Sequence, residues 1–297
     1  MLKDVVCPVC GGKNFNKVFD VKDYFALGEE FPIFACAACN FRLTAGLPPL
    51  SEMGNYYQSL EYISHSDSTE GIVNKVYHRV RNYMLKCKFK VVHNVSQLKE
   101  GTLLDIGAGT GYFLAFMQAK GWRVTGTDQS EEARNFAAGR WDIPLLPAEE
   151  LFALPEHSFD VITLWHVMEH LPDLDLHWKT ISRLLNDAGT LVIALPNADS
   201  QDAQHYKSFW AAWDAPRHLW HFAPPQIEKL AATYGFEMCG MKRMPFDAFY
   251  VSILSEKYKR SKLSLLKGLF FGKISWLVGL FNIGRCSSLI YIFRKSV

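Results

Sequence analysis

The chain has 297 residues, 49% of them hydrophobic and 21% charged, a globular composition with enough length to bury a real core. Lys and Arg number 32 against 30 Asp and Glu, a net charge of +2, so there is no strong nucleic-acid signal of the kind that phosphate contacts leave. The amino terminus lacks the apolar core of a secretion signal. No uncharged apolar run approaches the roughly 18–20 residues that span a bilayer. The longest candidate, 274–284, stops at Arg285, and the expectation is a soluble, cytoplasmic protein.

Residues 1–48 read as a separate small module. Cys7-Pro8-Val9-Cys10-Gly11-Gly12 and Cys36-Ala37-Ala38-Cys39-Asn40 each place two thiolates on one tight turn. Gly11 and Asn40 follow the second thiol of each pair, where the chain often turns left-handed. Hairpin-like strands over 15–19 and 32–35 separate the pairs. Four thiolates at tetrahedral corners suit a structural Zn²⁺ held by Cys7, Cys10, Cys36 and Cys39, with no open position for catalysis. A module of about 40 residues needs such a staple to fold. A redox dithiol requires one pair beside a βαβ unit, and that context is missing.

Residues 49–100 form a linker and a helical segment, with an aromatic stretch at 55–65 leading to a helix over roughly 72–95. From Gly101 onward strands alternate with helices. A strand over 102–106 ends in Gly107-Ala108-Gly109-Thr110-Gly111, and a helix over 112–120 stops at Gly121. A strand over 122–127 ends at Asp128, and apolar strands follow over 159–164 and 190–195. This alternation implies a doubly wound, mainly parallel α/β sheet whose ligands bind beyond the carboxyl ends of its strands.

The glycines discriminate between ligands. A dinucleotide frame starting at Gly107 requires glycine at 112, which is Tyr112. A frame starting at Gly109 requires it at 114, which is Leu114. The nucleoside-triphosphate loop is also absent. What stands here is Asp105-x-Gly107-x-Gly109-x-Gly111, followed by an acid, Asp128, at the end of the second strand. Small residues let a ligand approach the backbone, and a carboxylate can accept from both hydroxyls of a ribose. The combination suits a nucleoside carrying a compact zwitterion in place of a pyrophosphate.

Over roughly residues 80–245, with the last strand at the C-terminus, the chain resembles the class I S-adenosylmethionine-dependent methyltransferases. The resemblance implies a Rossmann-like sheet of seven strands across 101–297. Asp105, Gly107, Ala108, Gly109 and Gly111, continuing into Tyr112 and Phe113, would hold the methionine portion. Asp128, with Gln129 and Ser130, would hold the ribose, and Ala148 and Glu149 would line the adenine, with Pro147 replacing the usual Asp. Trp165 and His166 end the fourth strand of that fold and would face the methyl group. Glu169 and His170, just beyond, read more as structural than catalytic. Leu184 to Thr190 resembles the turn into the fifth strand. Related enzymes close the site with an N-terminal aromatic segment, which makes Tyr57, Tyr62 and His65 lid candidates.

Two insertions depart from that frame. The first, 197–224, carries Trp213-Asp214-Ala215-Pro216-Arg217-His218-Leu219-Trp220-His221 and emerges on the ligand side of the sheet. A similar run resembles one in quinone- and small-molecule-modifying methyltransferases. Trp213, Asp214, Arg217 and Trp220 are therefore expected in a substrate-pocket wall, although an Asp214–Arg217 pair could equally hold the loop. The second insertion, 246–285, interleaves Leu, Phe and Trp with Lys. Within it, 251–284 reads as a cap on the core, a homodimer surface or a peripheral membrane contact. The expected activity is methyl transfer to a small-molecule or lipid-like acceptor at oxygen, nitrogen or carbon. His218, His221 and His166 are the candidate bases, wherever the acceptor must lose a proton. Two alternatives stand beside it: an RNA or protein methyltransferase docked by the zinc module, and a non-catalytic S-adenosylmethionine-binding protein.

Overall fold

The structure is a computed structural model that describes residues 5–57 and 72–296. It opens with an antiparallel sheet of β1 (Phe15–Lys22), β2 (Glu30–Cys36) and β3 (Arg42–Thr44). After α1 (Ile72–Ser96) come β4 (Thr102–Ile106), α2 (Tyr112–Gln118), β5 (Arg123–Asp128), α3 (Glu131–Trp141), β6 (Leu146–Pro147) and β7 (Phe159–Trp165). Next are α4 (Leu174–Leu184), β8 (Leu185–Pro196), α5 (Gln201–Tyr206), β9 (Trp220–His221) and α6 (Pro224–Thr233). The chain ends with β10 (Phe236–Arg243), α7 (Asp247–Tyr258), α8 (Ser264–Phe281) and β11 (Ser288–Lys295).

The large sheet has the order β10-β11-β8-β7-β4-β5-β6. Its only reversed strand is β11, antiparallel to both β10 and β8, so the expected seven-stranded, mainly parallel α/β fold is present. Alternation within each central strand feeds two cores. Leu104 and Ile106 of β4, with Leu191, Ile193 and Leu195 of β8, join the core that includes Trp178 of α4. Leu103, Val192 and Ala194 point to the opposite core, with Leu114 and Met117 of α2. Two-residue periodicity with helices on both faces explains why these strands read as continuous apolar runs.

The N-terminal sheet is not a separate arm. The two-residue β9, from the first insertion, pairs with β3 and completes a four-stranded sheet in the order β1-β2-β3-β9. Thr44 Oγ1 donates to His218 O at 2.7 Å, Arg42 reaches Asp199 at 2.8 Å, and Gln226 donates to Cys39 O at 2.7 Å. Cys7, Val9, Cys36 and Phe41 share one buried cluster with Phe222 and Ile227 of the large domain.

The second insertion folds as a helical hairpin. The expectation that no segment is long and apolar enough to cross a bilayer is corrected here. By length and composition α8 is such a helix: 18 residues with mean hydropathy 1.4, only 22% of it buried. Two isolated lysines, Lys267 and Lys273, interrupt its apolar sequence without breaking the helix, which is why a search for uncharged runs overlooks it.

Candidate active site

The loop after β4 turns back on itself with Gly107, Gly109 and Gly111 at φ of 71°, 55° and 76°, where side chains are strained. At Gly107 a Cβ would lie 2.4 Å from Val167 Cγ2, so this glycine also lets the segment after β7 close over the turn. At Gly109 a Cβ would meet nothing within 4 Å, leaving the open side of the loop for a ligand. Asp128, at the end of β5, accepts from the Gly109 amide at 2.7 Å and from the Ser130 amide at 2.8 Å. Those two bonds fix the carboxylate at the mouth of the loop and leave lone pairs for two more donors. Ser130 caps α3 through Ala133, and Arg134 donates to the carbonyls of Asp128 and Gln129.

Beneath the loop, Asp105 is buried and accepts from Thr163 Oγ1 at 2.6 Å. Burial pushes its carboxyl up to about 7, against the opposing pull of the Thr163 bond and the Lys88 charge. Lys88 reaches in from α1 with its ammonium 4.5 Å above the Trp165 ring. Burial pulls it down to about 8, while Asp105 and Asp247 hold it up. Phe113 meets Trp165 edge-on at 5.5 Å, and Tyr112 packs against Trp141. Ala148 opens the 3-10 turn after β6, and Glu149 is exposed beside it.

A row of charged groups follows β7. His166, at φ 60°, lies 3.3 Å from Asp247 Oδ2 through Nε2 and 3.4 Å from Glu169 Oε1 through Nδ1. Burial alone would lower its pKa, but the hydrogen bonds and charges of Asp247 and Glu169 outweigh this and raise it to about 10. His166 is therefore a cation at neutral pH. Glu169 is 1% exposed, and neither of its oxygens receives a hydrogen bond of good geometry. Burial works to raise its pKa, but His166, His218 and His170 hold it below the usual range, as a carboxylate.

One ligating atom each of Glu169, His170 and His218 falls within 4.8 Å of the other two. The two rings meet edge-on at 4.6 Å. His170 Nδ1 faces Arg217 O at 3.0 Å and His218 Nδ1 faces Ala212 O at 2.8 Å. Carbonyls only accept, so each Nδ1 carries a proton, while His218 Nε2 lies 3.8 Å from Asp214 Oδ2. Burial, helped by His218, lowers the His170 pKa to about 4. Tyr57, one of the lid candidates, stands over this group with its hydroxyl 3.5 Å from His170 Nδ1. Tyr62 and His65 lie outside the described residues.

Of the remaining candidates of the first insertion, Asp214 borders this cluster, its Oδ2 3.8 Å from His218 Nε2, and the others sit elsewhere. Arg217 is 1% exposed and gives its donors to Asp214 (2.7 Å), Asp23 (3.1 Å) and Tyr56 O (2.9 Å). Asp23 in turn accepts from four successive amides, Phe25 to Gly28. Asp214 and Arg217 thus lock the N-terminal module to the large domain, and the guanidinium has no exposed edge for a pocket. Trp213 is buried, donating to Lys207 O, and Trp220 donates to Leu171 O. His221 is 5% exposed and buried in the four-stranded sheet. Thr44 Oγ1 spends its proton on His218 O, so His221 Nε2–H donates to Thr44 at 2.9 Å. Burial, helped by the nearby Arg42 charge, drives the His221 pKa well below its usual value.

Sequence reading missed Lys88 and Asp247 as members of the site and underrated Glu169 and His170. The last two were visible in Trp165-His166-Val167-Met168-Glu169-His170, directly after a strand end. Nothing local marks Lys88 or Asp247, because their partners lie far away in the chain.

In the N-terminal module, Cys7 Sγ and Cys39 Sγ are 3.6 Å apart and Cys10 Sγ and Cys36 Sγ 3.5 Å, with all four sulfurs within 4.8 Å of one another. Sulfurs at the corners of a tetrahedron with bonds of about 2.3 Å stand roughly 3.8 Å apart, which these separations match. Backbone amides of Val9 and Cys10 donate to Cys7, and those of Ala38 and Cys39 donate to Cys36. A Cβ at Gly12 would press on the Cys36 and Cys10 sulfurs at 3.2 and 3.3 Å.

Residues 77–239 match a family of methyltransferase domains. The chain is 24% identical over 196 residues to the ubiquinone biosynthesis O-methyltransferase of Idiomarina loihiensis, covering 57% of this chain and 80% of that protein. It is 36% identical over 172 residues to the enzyme of the same name from Caulobacter vibrioides, covering 54% and 67%. Among solved structures, geranyl diphosphate C-methyltransferase from Streptomyces coelicolor A3(2) superposes with a TM-score of 0.51 at 10% identity, over 77% of this chain and 88% of that one, a likeness of fold alone. The open loop at Gly109 and the anchored carboxylate of Asp128 fit the amino-acid and ribose ends of S-adenosylmethionine. The chain belongs to the methyltransferase-domain family, and it is an S-adenosylmethionine-dependent methyltransferase.

Proposed function

We propose that the acceptor is a hydroxylated, largely apolar small molecule methylated on oxygen. The observation that carries this reading is the cluster of Glu169, His170 and His218, which follows the strand end packed against the glycine loop. The buried Glu169 carboxylate has only the 3.4 Å contact to His166 Nδ1, so a further donor from a ligand would stabilise it. A hydroxyl does so, and His218 Nε2, 3.8 Å from Asp214 Oδ2, is the group that takes its proton. The relatives named as O-methyltransferases support the same choice of atom.

Bound at the loop, S-adenosylmethionine supplies an electrophilic methyl carbon on sulfur, and the S–C bond is the one that breaks. Asp128 holds the ribose, and the turn from Gly107 to Gly111 holds the methionine portion. Glu169 orients the acceptor hydroxyl and His218 Nε2 receives its proton as the O–C bond forms. His166, a cation between two carboxylates, does not serve as that base. Its charge instead fixes Glu169. Alignment of this kind can supply on the order of 7–11 kcal/mol of barrier reduction.

The test is turnover on a panel of phenols and catechols. His218→Gln is expected to lower kcat about a hundredfold or more, with S-adenosylhomocysteine affinity unchanged. Unchanged kcat would refute the assignment. The same three ligand atoms also suit a divalent cation bound to a catecholate acceptor. In that case turnover by the zinc-loaded protein requires added Mn²⁺ or Fe²⁺, whereas the base reading expects full activity with the structural zinc alone.

We also infer that Cys7, Cys10, Cys36 and Cys39 hold one Zn²⁺ with a purely structural role, supported by the sulfur spacing and the amide donors around it. Metal analysis is expected to find one zinc per chain.

A further inference from the structure

We propose that the α7–α8 hairpin docks the enzyme, lying in the plane of the surface, on an anionic lipid bilayer. Along α8 the buried residues are Gly268, Gly272, Ser275 and Gly279, a single stripe at helical spacing. A Cβ at Gly268 would lie 2.4 Å from Ile253 Cα, and one at Gly272 would lie 2.8 Å from Phe249 Cα, so the two helices meet backbone to backbone. The stripe consumes the small residues and turns the large apolar ones outward. Leu265, Leu266, Phe270 and Phe281 are 58%, 62%, 60% and 91% exposed, with Leu269 and Leu280 beside them. No side chain among the described residues covers that face. So broad an apolar surface marks a place of interaction.

Charge selects the occupant. From Lys257 to the last residue the sequence contains nine Lys or Arg and no Asp or Glu, while the other 23 bases and all 30 acids lie before it. The small net charge of the chain therefore conceals a strongly basic end. Lys262, Lys267 and Lys273 are exposed and pair with no carboxylate among the described residues. Long lysine stems lie along apolar surface while their ammonium groups seek phosphate. A second copy of this face would bring these cations together unopposed, whereas acidic headgroups neutralise them.

The hairpin lies on the membrane and does not cross it. Its first residue, Asp247, is held by His166 in the active site, and its far end passes through residues 283–285 into β11, between β10 and β8. Both ends return to one domain, and the tip carries Lys259, Arg260 and Lys262, which would have to pass through the hydrocarbon. Docking also brings the active site, from which α7 starts, close to the lipid. The benefit of that closeness for an apolar acceptor rests on the proposed function, but binding itself does not.

The test is sedimentation of the full chain with phosphatidylcholine vesicles, with and without phosphatidylglycerol, at low and high salt. Strong partitioning is expected only with the anionic lipid, weakened by salt. Each basic residue at such a surface strengthens binding about fivefold, so Lys262→Glu with Lys267→Glu is expected to weaken it more than tenfold. Leu266→Glu with Phe270→Glu and Phe281→Glu is expected to abolish it, with melting temperature and S-adenosylhomocysteine affinity unchanged because these side chains are exposed. Failure to sediment with anionic vesicles overturns the proposal. So does sedimentation that the apolar substitutions leave intact, or a stable dimer that buries this face and excludes vesicles.

Discussion

Asp128 and Arg217 show how differently single residues declare themselves. Asp128 is singled out by position alone: an acid at the end of the strand after a glycine turn faces whatever that turn admits. The structure adds that two amides, Gly109 and Ser130, hold it in place. Arg217 was half legible. Its pairing with Asp214, three residues away, was weighed from sequence, but its bond to Asp23 crosses nearly two hundred residues and has no local sign. Removing a guanidinium from so buried a network leaves Asp214 without its main partner and breaks the link to Asp23. Arg217→Ala is expected to cost roughly 3–5 kcal/mol, read as a fall in melting temperature of about 10 °C. His166 is expected to leave a signature in pH. Its pKa in the folded chain, about 10, stands above its ordinary 6.5, so the folded chain holds the extra proton between those values. The stability this provides is complete below about pH 6.5 and is lost as pH rises toward 10. Lys88, lowered to about 8, pulls the other way over part of that range, so the quantity to measure is the difference between wild type and His166→Gln. That difference should shrink from pH 6.5 to pH 10, and a constant difference would contradict the charged row.

At the scale of elements, strong periodicity was read well and pairing poorly. The strand over 102–106, the long helix before it and the last strand stand where their apolar patterns put them. The three-residue β3 and two-residue β9 have no pattern to read. They are strands only because each supplies the other's hydrogen bonds, and the joint between module and domain went unseen with them. The hairpin helices α7 and α8 were expected as extra structure, but which face of α8 turns inward depends on how closely glycine lets α7 approach. The four cysteines were legible as a set because their spacing is local within each pair, yet their consequence is not local, since Cys39 O receives Gln226 and the cysteines share a core with Phe222. Stripping metal with a strong chelator, or substituting Cys36→Ser, is therefore expected to lower the melting temperature of the whole chain and to loosen the β3–β9 pair, visible as faster hydrogen exchange at Thr44. Unchanged exchange there would show that the module holds without metal.

For the molecule as a whole, the mainly parallel direction of the strands follows from the alternation of helices and strands, with one reversal at β11. Overall charge was the poorest guide, because +2 averages an acidic body and a basic C-terminal segment from Lys257 onward. The site joins distant parts of the chain. The glycine turn and Asp128 come from the first half of the sheet, Glu169 and His170 from its middle strand, His218 from one insertion and Asp247 from the other. All of these matter to catalysis only if the turn after β4 binds the methyl donor. Calorimetric titration with S-adenosylhomocysteine tests that claim most directly. The wild type is expected to bind one molecule per chain, and Asp128→Ala to bind more than tenfold more weakly, because it loses hydrogen bonds to a charged acceptor, each contributing about 1.5–3 kcal/mol. An absence of binding by folded wild-type protein, or equal affinity in the variant, would contradict it.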